Sequence, residues 1–114
     1  MSEEEGICLT FYVHENRRHH HRLTYEWLLE QAEALGIHGG SAFRAIAGFG
    51  RHGVLHEDHF FELAGELPVA VKFIVTEEEV EKLLACVEKE SLSLFYVRTP
   101  VRFGIINGDT GPKA

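Results

Sequence analysis

Residues 67–75, with the sequence LPVAVKFIV, constrain the fold of this chain most. The segment is rich in β-branched residues and mostly apolar at both odd and even positions, and only Lys72 interrupts it. Successive side chains of a strand point to opposite faces of a sheet, so this segment predicts a central strand with both faces covered. The chain must therefore find an apolar layer for each side of its sheet.

Three further strands are predicted around this one. Residues 7–14 alternate between apolar and other side chains, which is typical of a strand with one apolar face. Residues 41–47 are predicted as a strand that leads into a glycine-rich segment. Residues 93–103 are predicted as the last strand, and Pro100 places it at an edge or in a bulge.

Two amphipathic helices are also predicted. The first follows an apolar stripe over residues 25–35 and ends at Gly36, where a left-handed residue is needed, with Ile37 folding back onto the helix. The second begins at Thr76, which forms a capping box with Glu79. Residues 15–22, ENRRHHHR, contain no apolar side chain and are predicted as a solvated loop.

The order strand, helix, strand, strand, helix, strand predicts an α+β fold, a ferredoxin-like βαββαβ sandwich with a four-stranded antiparallel sheet. A chain of 114 residues has room for one core. We place it in a single domain at about residues 7–103, with flexible tails at 1–5 and 107–114. Two helices cover only one face of such a sheet, so the other face, with Cys8, Thr10 and Tyr12, predicts self-association.

Charge and composition exclude several classes of protein. The formal charge of −7 opposes binding to nucleic acid. No apolar run approaches the roughly 20 residues that cross a bilayer, and the acidic start differs from a secretory signal, so a cytoplasmic protein without membrane insertion is predicted.

Cys8 and Cys86 belong to no paired-cysteine motif and are interpreted as small packed hydrophobes. No catalytic constellation is evident, and an enzyme is not predicted.

The segment GFGRHG of residues 48–53 matches the form of a dinucleotide fingerprint, but no βαβ context follows it. Glycine backbone amides can still cradle a phosphate, and Arg51 supplies a planar cation beside them. The alternative is a flexible loop whose glycines only permit a sharp exit from the strand.

Four basic residues lie in predicted strands among apolar neighbours, where a charge is unfavourable without a partner. They are candidates for a cationic cleft between subunits. The alternative is a salt bridge to one of the 18 carboxylates, or a stem along the surface with its head in water. The four residues are Arg44, Lys72, Arg98 and Arg102.

The eight histidines suggest a metal site as an alternative. His52, His56 and His59 are spaced like ligands of zinc or copper, and residues 19–21 form a run. No cysteine stands among them, and adjacent histidines in an extended segment point in opposite directions. We therefore interpret them as solvated loop residues and predict no metal.

The sequence RAIAGFGRHG of residues 44–53, preceded by LGIHGG, resembles the uncharacterised PII-like family known as domain of unknown function 190. The resemblance continues through ELPV at residues 66–69 and the helix start at Thr76, and it covers about residues 7–103. It implies the fold of nitrogen-regulatory PII proteins. Those proteins form trimers, bind adenine nucleotides in clefts between subunits and contact partners through a mobile loop.

By position, the resemblance implies a mobile loop at about residues 49–65 and a set of nucleotide-binding residues. No counterpart of the modified tyrosine of the nitrogen regulators is present, so uridylylation and 2-oxoglutarate sensing are not predicted. The implied nucleotide-binding residues are Arg44, Gly48, Gly50, Arg51 and Gly53, with Arg98 or Arg102 from the last strand.

The main hypothesis is a non-enzymatic homotrimer that binds ATP, ADP or AMP and so orders its loop to alter an unidentified protein, such as a transporter or an enzyme. The alternative is a copper- or zinc-binding trimer that resembles the copper-tolerance branch of the fold, with His52, His56 and His59 as ligands. A small hydrolase acting on a phosphorylated metabolite has the least support.

Overall fold

The computed structural model describes residues 2–48 and 67–108. It contains a four-stranded antiparallel sheet with the strand order β4-β5-β1-β6, and two helices. The predicted α+β class is confirmed, and the segment that is apolar on both faces is β5, an internal strand. The elements are β1 (Glu4–His14), β2 (Arg18–His19), β3 (Arg22–Leu23), α1 (Thr24–Ala34), β4 (Ser41–Arg44), β5 (Pro68–Val75), α2 (Glu77–Lys89) and β6 (Phe95–Phe103).

The core lies between the helices and one face of the sheet, here called the helix face. Leu9 pairs with Phe73 and Phe11 with Val71 across β1 and β5, and all four side chains are buried. The rings of Phe11 and Phe73 meet edge to face at 6.4 Å. Each such side chain contributes about 1.5–3 kcal/mol by leaving water, so this layer holds the helices on the sheet.

Both predicted helix boundaries are confirmed. At the end of α1, Gly36 has a φ of 88°, and the Ile37 amide donates to the Ala32 carbonyl at 3.0 Å. At the start of α2, the Thr76 hydroxyl accepts from the Glu79 amide at 3.1 Å, and the Glu79 carboxylate accepts from the Thr76 amide at 3.0 Å. These bonds satisfy a carbonyl group at the end of α1 and amide groups at the start of α2, which a bare helix end would leave unpaired.

The second glycine of the GG pair in LGIHGG also has a packing role. A Cβ atom on Gly40 would lie 2.4 Å from Cε1 of Phe73, a core side chain. The backbone before β4 therefore approaches the core more closely than any residue with a side chain permits.

The prediction of a solvated loop at residues 15–22 is wrong in part. β2 and β3 form a short hairpin, in which Arg18 pairs with Leu23 and His19 with Arg22. His20 and His21, at its tip, both have left-handed backbones, with φ of 55° and 68°. A two-residue turn of this type matches the twist of paired strands, and an apolar-periodicity criterion does not detect it because three of the four paired residues are polar.

The second face of the sheet carries neither helix and is here called the open face. As predicted, this face includes Cys8, Thr10 and Tyr12 of β1. Thr10 is buried, Cys8 is partly buried and Tyr12 is exposed. Large apolar side chains from all four strands remain accessible there. They are Tyr12, Phe43, Ile74, Phe95, Val97 and Phe103.

β4 and β6 are the two edges of the sheet. β4 ends at Arg44, earlier than the predicted residue 47, although the Ala45 amide still donates to the Pro68 carbonyl at 2.9 Å. β6 contains Pro100, and its place at the edge agrees with the prediction made from that proline.

Neither α1 nor α2, the helices of the described ranges, is long and apolar enough to cross a membrane. The cytoplasmic location stays a prediction.

Candidate functional site

The three described arginines that were expected to face a nucleotide lie at opposite edges of the sheet. Arg44 ends β4, whereas Arg98 and Arg102 belong to β6. β5 and β1 lie between these strands, and three strand spacings amount to about 14 Å. A single chain therefore does not gather the predicted cationic cleft.

The fourth basic residue of the predicted cleft lies on the other side of the sheet. Lys72 pairs with Thr10 across β1 and β5, on the open face, and its ammonium donates to the Thr10 hydroxyl at 3.4 Å. Arg44 pairs with Val69 and Arg98 with Leu9, which are core residues of the helix face. Lys72 is thus separated from the arginines by the sheet itself.

Within residues 2–48 and 67–108, Arg44 is the most available cation near the glycine-rich segment. Its side chain is 64% exposed, and its guanidinium lies 2.7 Å from the carboxylate of Glu15. Glu15 follows β1, and its amide donates to the Leu67 carbonyl at 3.0 Å, which fixes it beside the start of β5. An incoming phosphate would compete with this carboxylate for Arg44.

Arg98 is held more firmly than the other two arginines. Its guanidinium contacts Glu77 at 3.0 Å and Glu81 at 3.3 Å, one turn apart on α2, and its side chain is 33% exposed. Arg102 lies 3.3 Å from Glu3, and both of these side chains are largely exposed. In the isolated chain, Arg44, Arg98 and Arg102 therefore form salt bridges with carboxylates, which was the alternative to a cationic cleft. Exposed ion pairs contribute only about 0–1 kcal/mol, so a phosphate could replace such a partner.

Only the beginning of the glycine-rich segment is described. Gly48 lies beside Pro68, and a Cβ atom added to it would meet the proline ring at an ordinary 3.5 Å. The segment therefore starts next to β5, on the same edge of the sheet as Arg44. The remaining predicted residues and the loop at 49–65 lie outside the described ranges, and these residues are Gly50, Arg51, His52, Gly53, His56 and His59.

A groove of about 750 Å³ opens at the end of the sheet where β1 and α2 begin. It offers one guanidinium, from Arg102, against the carboxylates of Glu5 and Glu77. With two carboxylates and one guanidinium, the charge of the groove is negative and does not favour an anion. A phosphate bound here would therefore need cations from another copy of the chain. The lining residues are Glu5, Gly6, Ile7, Thr76, Glu77, Pro100, Val101 and Arg102.

A second polar group joins the hairpin to the end of α2, and we call it the histidine cluster: His19, His20 and Glu90. Nε2 of His19 and Nε2 of His20 lie 3.1 Å and 3.2 Å from Oε1 of Glu90. Hydrogen bonds from His19, and then from His20, hold the pKa of Glu90 below its usual range. The sequence shows the histidine run but gives no sign of its partner, which lies 70 residues away.

Both cysteines are free and partly buried. The Cys86 thiol donates to the Gln31 side chain at 3.4 Å, and burial raises the pKa of that thiol. Cys8 lies 3.8 Å from the Thr10 hydroxyl on the open face. Neither is a fully packed hydrophobe, because each keeps some exposure and a polar neighbour.

A known protein family matches most of this chain. The model of DUF190, described as "Uncharacterized ACR, COG1993", matches residues 6–102. A UPF0166 protein from Aquifex aeolicus (strain VF5) is 40% identical over 60 residues, which are 53% of this chain and 57% of that protein. A UPF0166 protein from Methanocaldococcus jannaschii is 29% identical over 76 residues, which are 67% of this chain and 69% of that protein. The match thus spans little more than half the length of the Aquifex protein.

A solved structure of a PII-like protein is similar to the described fold. It is CPII from Thiomonas intermedia K12, a nitrogen regulatory PII-like protein bound to ADP, AMP and bicarbonate. The TM-score is 0.62 at 20% sequence identity, and the match covers 93% of this chain and 94% of that chain. At this identity the likeness establishes a common fold.

Proposed function

Because this chain belongs to the DUF190 family, we propose that it is a PII-like regulator that binds an adenine nucleotide between the subunits of a homotrimer. One observation carries the proposal. The chain shares its fold, over 93% of its length, with a PII-like protein whose structure contains ADP and AMP. The other observations below concern how this chain would assemble and bind.

Assembly would occur through the open face. Phe43 is 54% exposed and Ile74 47% exposed, and side chains from the other two strands extend the same apolar surface. Burying apolar surface contributes about 25 cal/mol for each Å² removed from water. Copies of the same chain would thus supply the second apolar layer that β5 requires.

The nucleotide would bind where the edge of one subunit meets the opposite edge of the next. Rings of identical chains form through such head-to-tail contacts, which join different surfaces of neighbouring copies. Arg44 would then act beside the glycine-rich segment of its own chain, and Arg98 or Arg102 would arrive from the neighbour. The proposed ligands are Arg44, Gly48, Gly50, Arg51 and Gly53 of one subunit, with Arg98 or Arg102 of another.

Of the two arginines of β6, Arg102 is the better candidate for phosphate. Its side chain is 71% exposed and holds one exposed carboxylate partner, whereas Arg98 is shared by two carboxylates of α2. Releasing Arg98 would loosen the contact between β6 and α2. We therefore assign the intersubunit contact to Arg102 and a supporting structural role to Arg98.

Regulation would follow from the segment at residues 49–65. A phosphate bound by Arg51 and the glycine amides would order this segment, and the ordered segment would bind or release a partner protein such as a transporter or an enzyme. The nucleotide is ATP, ADP or AMP. The chain would act through this contact and not by catalysis.

Calorimetry with purified, metal-free protein tests the proposal. ATP, ADP and AMP are titrated separately at one salt concentration, after circular dichroism has shown that the protein is folded and sedimentation that it is assembled. We expect binding to wild-type protein, an affinity at least about tenfold weaker for Arg51→Ala, and no change for the control Arg22→Ala. No heat with any of the three nucleotides would refute nucleotide binding, and equal affinity in Arg51→Ala would refute the site.

A further inference from the structure

The histidine cluster has the composition of a metal site. It lies between the tip of the β2–β3 hairpin and the C-cap residue of α2. Nε2 of His19, Nε2 of His20 and a carboxylate oxygen of Glu90 all lie within 4.8 Å of one another. Two imidazoles and a carboxylate form a ligand set found in zinc proteins.

The hairpin brings together two imidazoles that a regular strand would separate. Side chains of adjacent residues in a strand point to opposite faces, but the chain turns at His20 and His21, both left-handed. Glycine or asparagine fills such turn positions more readily than histidine does. Because of this turn, both imidazoles contact the same oxygen of Glu90.

The position of Glu90 favours a cation. It is the C-cap residue of α2, where the helix dipole presents its negative end, so a carboxylate there is unfavourable without a positive partner. Glu88 adds a second negative charge two residues earlier, and Lys89 is the only basic residue of the last turn. A divalent ion would offset this concentration of negative charge more strongly than the hydrogen bonds from the two imidazoles do.

Packing fixes one of the ligands in advance. The side chain of His19 is 12% exposed, and its ring meets Trp27 of α1 edge to face at 5.0 Å. The guanidinium of Arg17 donates to the Ser93 carbonyl at 3.0 Å, which ties the hairpin to the segment before β6. The imidazole is thus oriented before any ligand arrives, which lowers the entropy lost on binding.

We propose that His19, His20 and Glu90 bind a divalent transition metal ion of the zinc type. With bonds of about 2.0–2.1 Å, ligand atoms on tetrahedral zinc are roughly 3.3 Å apart. The distances of 3.1 Å and 3.2 Å between the imidazoles and Glu90 lie close to that value. Mixed nitrogen and oxygen ligands suit zinc, whereas magnesium and calcium prefer oxygen alone. Water completes the coordination, and the ion replaces the protons that now join these groups.

This site is independent of the proposed nucleotide site, and it differs from the alternative suggested by the spacing of His52, His56 and His59. The ion would fasten the hairpin to the end of α2. It uses residues of a single chain, so it does not require the trimer.

Zinc titration of untagged, metal-free protein tests the proposal, since a polyhistidine tag would itself bind the ion. Trp27 is the only tryptophan of the chain and lies against His19, so its fluorescence reports on this site and not on distant histidines. Calorimetry gives the stoichiometry. The variants are His20→Ala, whose side chain is 71% exposed, and Glu90→Gln, with His21→Ala as the matched control.

We expect Zn²⁺ to change the fluorescence of Trp27 and Mg²⁺ to leave it unchanged. Removing a metal ligand should weaken binding at least as much as removing a supporting residue, so His20→Ala and Glu90→Gln should each lose about tenfold or more in affinity. His21→Ala should bind zinc as the wild type does. Absence of zinc binding, or binding that both variants retain, would overturn the proposal; the second result would place the ion at other histidines.

Discussion

The guanidinium of Arg44 and the carboxylate of Glu15 lie 2.7 Å apart at the outer edge of the sheet. If Arg44 faces the phosphates of a nucleotide, Glu15 competes with them. Removing the charge of Glu15 should then strengthen nucleotide binding by about two- to fivefold, the equivalent of an exposed ion pair. We expect Glu15→Gln to bind more tightly and Arg44→Ala more weakly than wild-type protein in the same calorimetric titration.

The control for this pair is Glu30→Gln, which removes the carboxylate partner of Arg22 and should leave nucleotide affinity unchanged. Equal affinities in wild type, Glu15→Gln and Arg44→Ala would show that Arg44 does not contact the nucleotide. Binding would then depend on other residues of the glycine-rich segment.

A charge on the open face should prevent assembly. Val97 lies near the middle of this face, opposite Thr10, and is 38% exposed. In a trimer closed through the open face, Val97→Asp would bury a carboxylate without a partner, which is strongly unfavourable. Analytical ultracentrifugation should show monomers for Val97→Asp and trimers for the wild type.

Leu35→Asp is the matched control, because Leu35 has almost the same exposure, 37%, but follows α1 and lies on the side of the helices. It should remain trimeric. Trimers of Val97→Asp with normal circular dichroism would exclude the open face as the interface.

The capping box of α2 should contribute measurably to stability. Replacing Thr76 by alanine removes the hydroxyl that accepts from the Glu79 amide. Loss of such a cap typically lowers the free energy of unfolding by about 1 kcal/mol. Urea denaturation at equal protein concentrations should show this decrease for Thr76→Ala and little change for Thr76→Ser, which keeps the hydroxyl. An unchanged midpoint for Thr76→Ala would mean that water replaces the cap.

Thr24, the first residue of α1, should tolerate loss of its hydroxyl. The side chain is fully buried, and its oxygen has no hydrogen-bond partner among residues 2–48 and 67–108. A methyl group of the same shape avoids burying an unpaired polar atom, so Thr24→Val should raise the free energy of unfolding by about 1 kcal/mol. Thr24→Ser, which keeps the hydroxyl and loses the methyl, should lower it. A destabilised Thr24→Val would show that the hydroxyl has a partner.

The parts of the fold that were predictable are those with a local periodic signal. Alternation identified β1, and apolar side chains on both faces identified β5 as internal. The stripe ending at Gly36 and the box at Thr76 identified the two helices. Each signal arises from contacts within a few residues or from burial against one face, both of which a single sequence records.

The histidine cluster was not predictable for the opposite reason. Its geometry depends on a turn with two left-handed histidines and on a glutamate 70 residues away. Side-chain direction at adjacent histidines depends on the turn, and periodicity contains no information about it. The separation of Arg44 from Arg98 and Arg102 likewise follows from strand order, which a list of strands does not determine.

Pro100 has a consequence for how copies of this sheet can meet. A proline in an edge strand supplies no N–H group, so it interrupts the row of donors along the free side of β6. Another strand laid against that side would lose a ladder hydrogen bond there. Extension of the sheet by backbone pairing along β6, which leads to open-ended fibres, is therefore disfavoured relative to contact through side chains, and assembly is directed towards closed particles of limited size.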